Sequence, residues 1–322
     1  MRVDLTDHQK SKDQLCQKEQ TTFSALGTFA RLLANIVNKP SLIVYGLVLP
    51  IAAIAWVWLI LAAQGIASSN AGGTLGPSMQ LLEPLLRSLD IASNNQWVAY
   101  IVSICSPASI DAAITFESII IMFLMWFMMA IAMMLPTAAP MLRTYAEIAD
   151  TAARRNEPAV SLIYLAAGYM AVWIGFSLQA TLLQAAIIAA GSSAGTSAPT
   201  VGLVGGAILI LAGLYQFSSL KNACLVKCRN PFAIIFGQWS NSKKDIFKLG
   251  LQQGLFCLGC CWALMLVMLT VGTMNLVWMA FLTLFTLLEK TSEGKAITRL
   301  IGVVLLAWGA FLVLNSVNIT FS

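Results

Sequence analysis

The chain has 322 residues, 58% hydrophobic and 10% charged, with 19 Lys/Arg against 14 Asp/Glu and a formal net charge of +5. A soluble domain carries about a quarter of its residues as charges, so this composition excludes an ordinary soluble protein and predicts an all-α bundle of membrane-crossing helices. The one histidine is His8, in the polar first segment. That excludes His-based metal sites and Ser-His or Cys-His catalysis in the apolar part. No glycine loop of the phosphate-cradling kind is present either, and the chain is expected not to be an enzyme.

Residues 1–40 form a polar tail with no short apolar core after the first charges, so no cleavable signal peptide is expected. Phe23, Leu26, Ala30, Leu33 and Val37 recur at three- and four-residue steps. Such spacing fits an interfacial amphipathic helix, and it fits equally a packed lead-in to the first span. Residues 41–322 form the transmembrane domain. Apolar runs at 42–63, 118–135, 159–190, 201–217, 250–269, 274–288 and 300–317 predict seven spans, the third overlong and the sixth short.

Segment 64–117 joins the first two runs on the outside, flexible by composition at Ser68 to Gly73 and helical by spacing through Leu81, Leu82, Leu85, Leu86 and Leu89. Its acidic residues Glu83, Asp90, Asp111 and Glu117 read as a solvated surface before an oxygen-rich cation site. In the third run Gln179 and Gln184 are polar groups in apolar surroundings, bonded to a neighbouring helix or, on the sharper reading, touching a transported substrate. In the fourth, Gly202 and Gly206 have the small-xxx-small spacing of close helix packing, within the chain or with another.

Lys and Arg number six before Leu42, three over 143–158, six over 217–249 and three over 289–299, leaving Arg87 as the one cation of an alternate loop. The positive-inside rule therefore puts the amino terminus in the cytoplasm and the carboxy terminus outside. The basic residues lie in loops beside spans, where anionic lipid accounts for them, and no nucleic-acid partner is implied.

Sulfur is the one chemistry the chain concentrates. Cys257, Cys260 and Cys261 sit near the cytoplasmic start of the fifth span, Cys224 and Cys228 in the loop before it, and Met133, Met134 and Met141 around the cytoplasmic end of the second. Spacings of three and four residues put each cysteine group on one helix face. Pro136 and Pro140 are expected to open the helix end and let the methionines turn toward the thiols. Four thiolates suit Zn(II); two or three, with or without a thioether, suit Cu(I). Lys221, Lys227 and Arg229 would favour thiolates whether the purpose is metal binding or redox. Against both stands simple packing, since Cys and Met are common fillers of apolar interiors. A structural disulfide is not expected on the reducing side, and Cys16 and Cys105 stand alone.

The run from Met125 to Met141, Gly168-Tyr169 with Val172-Trp173, Tyr215-Gln216 with Lys221 and Cys224 to Arg229, and Cys257-Leu258-Gly259-Cys260-Cys261-Trp262 closing at Glu289-Lys290 form a set. Together they resemble a bacterial family of predicted metal-binding integral membrane proteins, domain-of-unknown-function family 2182, over residues 118–290. The resemblance implies metal binding and no activity. In that family a histidine often stands where this chain has Lys227 and another where it has Gln253. Their loss leaves a sulfur-only donor set and shifts the expectation from Zn(II) to Cu(I).

The sequence therefore predicts a multi-pass protein of the bacterial inner membrane that binds, delivers or transports Cu(I), zinc being the second choice of metal. Its partners are the bilayer and another membrane protein or enzyme complex. The rival readings are a non-catalytic accessory or scaffold subunit with structural cysteines, and a thiol redox protein.

Overall fold

The computed structural model describes residues 40–68, 116–194, 198–272, 275–292 and 294–321, with isolated positions 84 and 88. Among these, nine helices and no strand are found: α1 Pro40–Ser68, α2 Phe116–Arg154, α3 Leu162–Ala194, α4 Ala198–Gln216, α5 Ser219–Arg229, α6 Pro231–Gly237, α7 Lys243–Val271, α8 Leu276–Thr291 and α9 Ala296–Phe321. The helix expected over 23–37, the leucines Leu81, Leu82, Leu85, Leu86 and Leu89, and His8, Cys16, Arg87 and Cys105 lie outside the described residues.

Five helices, α1, α2, α3, α7 and α9, are long and apolar enough to cross a membrane, or six elements if α4 and α5, bent by 62° at their junction, count as one span. The sixth expected span is α8, whose 16 residues reach only about 24 Å at 1.5 Å per residue, against roughly 30 Å of hydrocarbon. Helix α2, at 39 residues, is the opposite case. Its last third is polar, with exposed ion pairs Arg143–Glu147 and Arg154–Asp150 one turn apart.

The two prolines do not end α2, contrary to the expectation that they would open it. Proline at 136 removes the N–H that would bond the carbonyl of Ala132, and that carbonyl instead accepts from Trp56 Nε1 on α1 at 3.2 Å. A neighbouring helix thus repairs the broken ladder, which is how proline is tolerated inside membrane helices.

Side-chain pairings fix the direction of each helix. Trp56 meets Ala132 and Tyr45 meets Arg143, so α1 and α2 are antiparallel. Tyr145 donates to the carbonyl of Val160, and Trp126 Nε1 to Gln184 Oε1 at 2.7 Å, so α2 and α3 are antiparallel too; the second bond gives Gln184 its interhelical partner. Gly168 faces Gly250, and Tyr169 and Val172 face Gly254, so α3 and α7 run parallel.

Helix α4 runs against both α7 and α9: Gly205 faces Thr270, while Gly202 meets Ser316, Gly206 meets Val313 and Gly213 meets Leu306. Gly202 and Gly206 therefore stand against α9 of the same chain. Trp278 stacks near Trp308 at 4.9 Å and Thr298 donates to Glu289, making α8 antiparallel to α9. Since α7 and α9 are parallel, α8 returns the chain from one end of the bundle to the other.

The apolar stretches of α2 and α7 are 50% and 56% buried, against 22–28% for α1, α3 and α9, so α2 and α7 form the centre and the others present apolar faces outward. Ile54, Leu211, Leu300 and Leu314 are among the exposed side chains on those faces. Helix α7 stops at Gly272, whose φ of 101° is a conformation open to glycine and strained for other residues.

Candidate metal centre

Cys257, Cys260 and Cys261 occupy adjoining turns of α7 on its buried side, each exposed by 3% or less. Cys224 and Cys228 are half-buried on α5, which is a helix and not the loop read from sequence. Ser218 caps it, accepting from the Lys221 N–H at 3.1 Å. The two helices approach closely because residue 259 has no side chain. A methyl group there would fall 2.6 Å from Cys224 Sγ, and Tyr215 Oη donates to the Gly259 carbonyl from the adjacent α4.

This approach puts Cys228 beside Cys260, whose thiol also neighbours those of Cys257 and Cys261. Four thiols from two helices are thus grouped around Cys260, with Cys224 on the near side against Gly259. Cys261 Sγ lies 3.6 Å from Met134 Sδ of α2. Met133 and Met141 are buried in the same helix, and of the three Met134 is the one that accepts a thiol hydrogen bond among the described residues. Helical geometry explains the split: Met133 is turned about 100° away, and Met141 shares the face but sits two turns along.

The charged and polar groups that face the thiols differ from the three cations expected from the sequence. Lys290, at the end of α8, is half-buried overall with its ammonium turned inward, 3.1 Å from Cys257 Sγ and 2.7 Å from Thr137 Oγ1. Tyr169 Oη on α3 is 3.1 Å from the same sulfur and donates to the Met134 carbonyl at 3.2 Å. Lys227 turns aside, its Nζ 4.4 Å from the centroid of the Phe256 ring. One Lys therefore addresses the thiols directly, and it comes from an element the sequence left as a loop end.

A second buried charge group fixes α5. Lys221 Nζ is 2.9 Å from Glu289 Oε1, with side-chain exposures of 1% and 2%, and it also donates to Gln216 Oε1. Thr298 Oγ1 donates to Glu289 at 2.6 Å, and the Arg229 guanidinium to the Glu289 carbonyl at 2.7 Å. Buried charges persist only when paired and hydrogen-bonded. This network ties both ends of α5 to α8, holding Cys228 where it meets Cys260.

The donor set is sulfur throughout, which fits a soft monovalent cation better than a hard one. As the side chains stand, no three His, Cys, Asp or Glu among the described residues form a ready ligand set. Cys260 and Cys261 donate to the carbonyl of Cys257 at 3.0 and 2.8 Å, which turns both sulfurs back along their own helix. Rotation about χ1 would release them, so the grouping is close and the coordination is not preformed.

No curated protein and no solved structure matches the chain. A match to a family of copper chaperones does exist, and it takes in α3 to α8 together with nearly all of α2, including every cysteine grouped around Cys260, Met134 and Lys290. Residues 123–312, more than half of the chain, carry this match, and the chain belongs to that copper chaperone family, PpoB2.

Proposed function

We propose that the protein is a multi-pass inner-membrane carrier that binds Cu(I) as cargo through the thiolates of Cys228, Cys257, Cys260 and Cys261, with Met134 as a thioether ligand, and passes it to another membrane protein. Cys224 stands by as an exit or entry ligand at the edge of the group. The observation that carries this reading is the meeting of Cys228 with Cys260 across two helices in a chain that belongs to a copper chaperone family. The kinship to domain-of-unknown-function family 2182 forms part of the same reading. No catalytic step is assigned.

The chemistry supports Cu(I) over Zn(II). Cu(I) is content with two or three sulfurs, whereas structural Zn(II) takes four ligands in a tetrahedron. Two thiolates on Cu(I) leave one net negative charge, and the Lys290 ammonium beside Cys257 offsets it. A loosely formed ligand set suits delivery, since a cargo ion must leave as well as enter.

Anaerobic purification with Cu(I) and metal analysis tests this. Close to one equivalent is expected in the full chain and loss of at least about tenfold in affinity in the Cys257→Ser, Cys260→Ser double variant. Unchanged affinity in that variant overturns the reading.

A second reading has a specific observation in its favour: the thiol-to-carbonyl bonds of Cys260 and Cys261 are what purely structural cysteines make. Under it the chain is a scaffold subunit, and neither Cu(I) nor Zn(II) is retained by the full chain. A redox role would instead appear as thiols lost to alkylation after mild oxidant and recovered by reductant.

A further inference from the structure

Away from the thiols, the bend between α4 and α5 opens a cavity of about 360 Å³ whose walls include Ser219, Asn222, Lys221, Thr298, Lys295 and Arg299. The antiparallel packing of α4 on α9 creates it. Because Gly213 meets Leu306 and Gly302 meets Phe217, the start of α9 falls beside the start of α5. Lys295 and Arg299, one turn apart, are thereby carried to the mouth of the bend. Among the described residues neither has a carboxylate at ion-pair distance. The charge of Lys221 is already balanced by Glu289, so the cavity holds two cations without a carboxylate partner among the described residues.

Two further features point to an anionic occupant. Gln216, 4% exposed, spends its carbonyl oxygen on Lys221, and its Nε2 has no partner although it belongs to the cavity wall. A buried donor left unmatched is uncommon in folded proteins and calls for a ligand or water. The first turn of α5 also opens here, with Ser218 capping the N–H of Lys221, leaving other N–H groups at the positive end of the helix dipole. Exposed apolar Phe217 and Leu220 flank the cleft, a surface suited to acyl chains.

We propose that this cleft binds a phosphate group, either on the headgroup of an anionic phospholipid or free in solution. Arg299 and Lys295 supply charge-assisted hydrogen bonds to its oxygens, Ser219, Asn222 and the Gln216 amide add neutral donors, and the α5 N-terminus adds its dipole. Basic pockets between membrane helices are where lipid phosphates lodge. An occupant would bear on α5 one turn before Cys224, yet the proposal stands on the cleft alone and does not depend on metal binding.

The test uses the full chain in an uncharged detergent, following thermal unfolding on titration with short-chain phosphatidylglycerol, short-chain phosphatidylcholine or inorganic phosphate. Three variants accompany it: Lys295→Gln with Arg299→Gln, Lys295→Gln alone, and Lys243→Gln with Lys244→Gln as a control of equal charge on the same basic side. Phosphatidylglycerol is expected to raise the unfolding temperature of the native chain and the control equally. The Lys295/Arg299 variant should need about thirtyfold more lipid, at roughly one order of magnitude or less per cation, and the single variant an intermediate amount. A matching response to inorganic phosphate identifies the free ion as sufficient, and its absence identifies the lipid. Equal weakening in the control, or an equal response to phosphatidylcholine, overturns the proposal, because either would mean general attraction or simple solvation by lipid.

Discussion

Lys290 shows how one side chain can set the electrostatics of a thiol group. Its ammonium bridges Cys257 Sγ and Thr137 Oγ1, placing a positive charge where bound thiolates would collect a negative one. Replacement by Met keeps the stem and removes the charge. We expect Lys290→Met to lower Cu(I) affinity by about tenfold or more, as loss of a charge-assisted contact does, while Lys290→Arg retains most of it. Competition against a colorimetric Cu(I) chelator reads both; equal affinities in the Met and native proteins would deny Lys290 this role. Tyr169 and Lys290 stand out in the sequence only as part of the family resemblance, which assigns neither of them a place beside the thiols. Each is separated from Cys257 by more than thirty positions, and nothing in local spacing links them. The cysteines themselves were legible, because three- and four-residue steps declare a shared helix face.

At the scale of elements, one contact seats α7 against α3 and another seats α5 against α8. The first is the glycine seam of α3 and α7: a methyl at Gly250 would lie 3.1 Å from the Gly168 Cα, with backbone on both sides and no flexible side chain to yield. Gly250→Ala is therefore expected to destabilise the fold by about 2 kcal/mol through overpacking, seen as earlier unfolding in detergent, whereas Gly175→Ala, with open space around it, should change little. The second is the Lys221–Glu289 pair. Glu289→Gln leaves an ammonium buried without its counter-ion, with an expected cost of about 3–5 kcal/mol. The Lys221→Met, Glu289→Gln double variant should recover much of that loss. If the two variants unfold alike, the pair is not what anchors α5. Glu289 falls just past the apolar run 274–288, where it looks like a loop residue, and its burial depends on contacts with Thr298 and Lys221. Pro136 misled for a related reason: its effect on α2 depends on Trp56, which lies on another helix.

For the whole molecule, the directions of the helices imply an odd number of crossings if α8 is one of them. With α4 and α5 as one broken span, the basic ends of α2, α3, α7 and α9 fall on one side. A reporter fused after Ser322 is expected to lie outside, and one inserted at 156–158, between α2 and α3, inside. Both reporters on the same side would refute the seven-span arrangement. The helical class, the runs long and apolar enough to cross a membrane and the two cysteine clusters were determined by the sequence by itself, because composition, run length and helical period are local properties of the chain. Only the tertiary structure decided that Cys228 meets Cys260, that the Cys261 thiol donates to Met134, and that Lys290 and Tyr169 complete the surroundings. Those contacts depend on helix crossings set by glycine seams and a buried ion pair, and such long-range geometry has no signature in residue spacing.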